Sequence, residues 1–77
     1  MIRAKFICDE VVAKAGYGGA QLYTAKFKPV VSGSEENKEF FKYTPYGVIE
    51  LGAYTIKDQF IPGMEYYIDF TAAAPAV

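Results

Sequence analysis

With 77 residues, 22% of them charged, and a net charge of −1, the chain suffices for one domain and is too short for two. It has no histidine and one cysteine, Cys8, which excludes His-based general bases, Ser-His or Cys-His pairs, an internal disulfide and the usual Cys/His zinc sets. No stretch approaches the ~18 apolar residues of a membrane span.

A domain of this size buries only roughly 60% of its unfolded surface. Apolar residues make up 52% of the chain, with seven Tyr and six Phe, and aromatics supply large burial per residue. Self-association into a homo-oligomer is a second route to burial. The opening residues, Met1 to Phe6, lack the apolar run of a signal peptide. With a lone thiol, the expected setting is a reducing cytoplasm.

In chain order, residues 2–9 alternate, with Ile2, Ala4, Phe6 and Cys8 on one side and Arg3, Lys5, Ile7 and Asp9 on the other, as in a half-buried strand. Residues 20–30 alternate again. Between them Gly16-Tyr17-Gly18-Gly19 marks the tip of a β-hairpin. The loop lacks a P-loop ending, and no helix follows it to hold a phosphate.

Ser32 and Glu35 have capping-box spacing, but Tyr43-Thr44-Pro45 halts any helix soon afterwards. Residues 39–43 therefore read as a short strand, with a helical turn as the competitor. Val48–Ala53 reads as a strand with Ile49 and Leu51 inward. Residues 54–60 stay ambiguous; Ile56 and Phe60 stand four apart, as on one helix face. Pro62-Gly63 is a turn, and residues 65–71 form a strand with Tyr66, Ile68 and Phe70 on one side and Tyr67 and Asp69 on the other. The expected fold is all-β: a small five-stranded barrel, OB-like or SH3-like, with a helical turn before the last strand. Residues 1–71 form that one domain, and residues 72–77 an apolar C-terminal tail.

Charge is asymmetric. Residues 1–30 set Arg3, Lys5, Lys14, Lys26 and Lys28 against Asp9 and Glu10, whereas the remainder sets Lys38, Lys42 and Lys57 against seven carboxylates. Either a polar binding face results, or the halves neutralise each other across the sheet. On the first alternative Arg3, Lys5, Lys26 and Lys28 contact phosphates while Tyr17 and Tyr67 stack on bases. On a protein-contact reading the candidates are Tyr17, Tyr46 and Tyr54, since Tyr is enriched at interface hot spots. Glu35, Glu36 and Glu39 lack the order of a calcium loop, and Cys8 reads as a core thiol. No catalytic residue, metal ligand, cofactor or membrane contact is expected, and hence no enzyme.

The stretches Ser32–Gly47 (SGSEENKEFFKYTPYG) and Phe60–Phe70 (FIPGMEYYIDF), together with the strand start at Ile2–Phe6, resemble a group of short, uncharacterised proteins encoded by tailed bacteriophages. This resemblance implies a viral protein acting in the cytoplasm of an infected bacterial host or in the virion, and assigns no catalytic residues. Pro62-Gly63 followed by Tyr66-x-Ile68 is more loosely similar to the small single-strand-binding proteins of filamentous phages. Two functions follow as expectations. The first is a non-enzymatic protein–protein contact role, with self, virion or host protein as partner, as a decoration or assembly component or a host inhibitor. The second is single-stranded nucleic-acid binding.

Overall fold

The computed structural model describes residues 2–75; positions 1, 76 and 77, the last two belonging to the expected tail, lie outside the described residues. Four strands build one antiparallel sheet. β1 (Ile2–Ala15) and β2 (Gln21–Pro29) form the central hairpin, β3 (Ile49–Ala53) lies outside β2, and β4 (Glu65–Phe70) lies outside β1, in the order β3-β2-β1-β4. One α-helix, α1 (Glu35–Phe41), joins β2 to β3, and a short 3-10 turn, Tyr17–Gly19, forms the hairpin tip. Among the described residues no helix is long and apolar enough to cross a membrane.

The sheet is open, which corrects the expected five-stranded barrel. Its two short strands stand at opposite edges, and residues 39–43 do not supply a fifth. The helical competitor wins there because Ser34, two residues after the expected cap, accepts a hydrogen bond from the Asn37 amide at 3.2 Å. Glu35 and Glu36 in the first turn complement the helix dipole. The helix stops at Lys42, at φ 65°, with Pro45 close behind. Residues 54–60 form turns instead of the helical turn expected before the last strand; one is closed by Gln59 N–H donating to the Ile56 carbonyl at 2.9 Å. The Pro62-Gly63 turn is as expected: Gly63 sits at φ 90° and the Met64 amide donates to Ile61.

β1 runs six residues beyond its expected end. Its register with β2 slips between Cys8 and Glu10, leaving Asp9 as an extra residue. This bulge reverses the alternation, so Val11 and Ala13 join Phe6 and Cys8 on the inner face opposite Ala25 and Tyr23. The strict period of two hid the continuation.

The core occupies the inner face. Ala4, Phe6, Cys8, Ala25 and Phe27 are buried beneath Ile56. Phe27, Phe60 and Tyr66 pack edge to face with centroids 5.1–5.9 Å apart, a favoured quadrupole geometry. Burying Phe27 alone stabilises the fold by about 2–3 kcal/mol. Residues 54–63 thus cover one part of the inner face, and α1, through Phe41, covers another. The result is a thin body, 44 × 39 × 17 Å, with a radius of gyration of 14.8 Å, where about 11.5 Å is usual for this length.

Candidate functional site

The outer face of the sheet carries the charged residues of all four strands. Arg3 grips Asp69 with two hydrogen bonds, Nε to Oδ1 at 2.6 Å and Nη2 to Oδ2 at 3.1 Å. Lys5 stands 3.8 Å from Glu65, Lys28 stands 3.4 Å from Asp9, and Lys26 lies between Glu10 at 3.4 Å and Glu50 at 3.6 Å. Strand register imposes this order: Arg3 faces Asp69, and Lys26 faces Glu10 on one side and Glu50 on the other.

The protonation equilibria follow from these pairs. The Arg3 hydrogen bonds hold the Asp69 carboxyl below its usual range and raise the guanidinium in return. The Glu10 carboxylate, through its hydrogen bond and charge and then with help from Glu50, raises Lys26. Tyr67 lies beneath two cations, with the Arg3 guanidinium 4.8 Å and the Lys5 ammonium 5.3 Å from its ring centre.

The expected nucleic-acid residues therefore divide. Arg3, Lys5, Lys26, Lys28 and Tyr67 share one face, and each of the four cations has a carboxylate within 4 Å. Arg3–Asp69, Lys5–Glu65 and Lys26–Glu50 join the basic first half to the acidic second half, while Lys26–Glu10 and Lys28–Asp9 pair charges within the first half. Tyr17 stands apart at the hairpin tip, 91% exposed, roughly 40 Å along β1 from Arg3 at ~3.3 Å per residue.

Of the three tyrosines expected to make protein contacts, Tyr17 and Tyr54 meet and Tyr46 stands apart. Tyr54 holds the hairpin tip: its hydroxyl accepts from the Tyr17 amide at 3.0 Å. Its ring approaches so closely that a Cβ on Gly16 would lie 2.6 Å from Tyr54 Cε1 and 2.8 Å from the Ala20 carbonyl oxygen. Tyr46 belongs to a different surface. It is 90% exposed beside Tyr43, also 90%, and Val31 and Val48, each 73%. Two adjoining hollows that share Pro45 join these side chains to Pro29 and Val30.

This largely apolar surface draws on residues 29–34 and 43–49, neither of which contains a charged residue, with Asn37 and Lys38 of α1 at its margin. Alternation analysis missed Tyr43, Val31 and Val48, because loops have no period. The absence of charge over two stretches that meet in space was the usable signal. A second apolar rim lies at the far end of β4, where Phe40 of α1 stacks on Phe70 at 6.5 Å, with the rings 44% and 51% exposed.

Comparison with protein-family models, with curated proteins and with solved structures finds no match to this chain.

Proposed function

We propose that this protein works by binding another protein and carries out no chemistry of its own. The exposed, largely apolar surface around Tyr43, Pro45 and Tyr46 carries this reading. Its tyrosines are almost fully exposed, and Tyr gives large, rigid contact area at low entropic cost. The total surface supports it: 5927 Å² is accessible, where about 4,700 Å² is usual for a compact chain of 8.5 kDa. The resemblance to tailed-phage proteins supports a partner in the virion or the bacterial host, with the protein serving as a decoration or assembly component or as an inhibitor.

Single-stranded nucleic-acid binding is the weaker reading. A phosphate would have to displace Asp69, Glu65, Glu10 or Asp9 from cations they already neutralise.

A photo-crosslinking residue at position 46, used in infected bacteria and on purified particles, tests the proposal. We expect a defined protein adduct that Tyr43→Ser abolishes, with no adduct from the same probe at Lys14 on the outer face of the hairpin. Failure to crosslink in both materials would overturn the reading. Salt-sensitive binding of labelled single-stranded DNA would replace it with the alternative.

A further inference from the structure

The two ends of the sheet differ in kind. β3 is five residues long and contains Gly52, which weakens a strand as a template. β4 has six residues, Glu65-Tyr66-Tyr67-Ile68-Asp69-Phe70, with no Gly, Pro or bulge. Proteins usually blunt such edges with those devices or with lysines.

The direction of the backbone groups on β4 follows from its neighbours. The Lys5 amide and carbonyl point toward β2 and Asn37, so those of Ala4 and Phe6 point toward β4. In an antiparallel ladder their partners Ile68 and Tyr66 point back, which leaves Glu65, Tyr67 and Asp69 with amides and carbonyls turned to the open side. The geometry points to a second copy of this chain as the occupant of that edge, pairing β4 with β4 across a two-fold axis into one continuous eight-stranded sheet.

Charge selects the register. An axis at Tyr67 would oppose Glu65 to Asp69 of the second copy, two carboxylates face to face. An axis at Ile68 avoids this. It sets Tyr67 opposite Asp69 on the outer face, and Tyr66 opposite Phe70 on the inner face, where Ile68 meets its own copy. Asp69 and Glu65 are already neutralised by Arg3 and Lys5, so the edge brings little net charge to the junction. The same pairing covers Phe70, half-exposed at the end of the strand.

The edge is separate from the Tyr43–Tyr46 surface, so this inference stands or falls independently of the partner proposed there.

Sedimentation of the full chain tests it. The wild type is expected to run at twice 8.5 kDa. Tyr67→Pro removes an amide that faces away from β1, and is expected to run as a monomer with an unchanged far-ultraviolet spectrum. A wild-type monomer at the highest soluble concentration would overturn the inference, as would a dimer that survives Tyr67→Pro with its fold intact. If Tyr67→Pro does not fold, Ile68→Cys decides. Opposed across the axis, two such cysteines lie within disulfide range, so mild oxidation links the dimer if the register is right, and the absence of that link overturns it.

Discussion

The side-chain amide of Asn37 takes the place of a strand beside Lys5. Its Oδ1 accepts from the Lys5 amide at 2.7 Å, and its Nδ2 donates to the Lys5 carbonyl at 2.7 Å and to the Val30 carbonyl at 2.8 Å. The ladder between β1 and β2 ends at Phe6 and Pro29, so without Asn37 the Lys5 amide would face a gap. Asn37 is only 2% exposed, and buried backbone groups need partners. Asn37 thereby ties the helix to the backbone of β1.

Asn37→Ala is expected to strand the Lys5 amide and the Val30 carbonyl. At about 1–3 kcal/mol for each unsatisfied buried group, the loss is about 3 kcal/mol, a large part of the stability of a small domain. A lower urea midpoint at constant slope would confirm it; an unchanged midpoint would show that water replaces the amide.

Acid weakens the fold through Asp69. Its pKa is depressed in the folded state, so its contribution is full above the unfolded carboxyl value and is lost as pH falls through the folded one. Thermal unfolding of wild type and Asp69→Asn should differ near neutrality and converge from about pH 4 downward. Added salt should shrink the difference, because the pair is exposed. A gap constant with pH would show that the pair is not the cause.

Cys8 is 1% exposed in the core, and burial, with some help from Asp9, raises its thiol pKa. Thiol reagents attack the thiolate, so alkylation of native protein should be slow and should accelerate with denaturant in step with opening. Fast labelling of native protein at neutral pH would contradict the burial.

Gly16→Ala should disturb the hairpin tip. The added methyl would lie 2.8 Å from a backbone oxygen and 2.6 Å from a Tyr54 ring carbon, so the loop or the ring must shift. Overpacking of this kind costs about 1–3 kcal/mol. Amide exchange at Tyr17, whose N–H donates to Tyr54, should quicken more than exchange at Phe27. Equal exchange rates with those of the wild type would show that the tip absorbs the methyl.

Local pattern was enough for the hairpin, for the strands near residues 49 and 65, for the inward side of each, and for the Pro62-Gly63 turn, because alternation and turn chemistry are properties of neighbouring residues. It did not reveal the bulge at Asp9, where one inserted residue reverses the period. It offered α1 only as a helical turn competing with a strand at residues 39–43, because the apolar side of the helix is only Phe40 and Phe41 and its docking depends on Asn37 reaching residues 32 positions away. The charged face shows the division most plainly. The sequence contained its cations and carboxylates, but whether Arg3 met a phosphate or Asp69 depended on which strand became the neighbour of β1. Strand order is set by long-range pairing and by what covers the inner face, and no local signal encodes it. The same holds for the open edge of β4 and for the largely apolar surface assembled from residues 29–34 and 43–49: both are products of the tertiary arrangement, which brings together or leaves apart segments that the chain keeps separate.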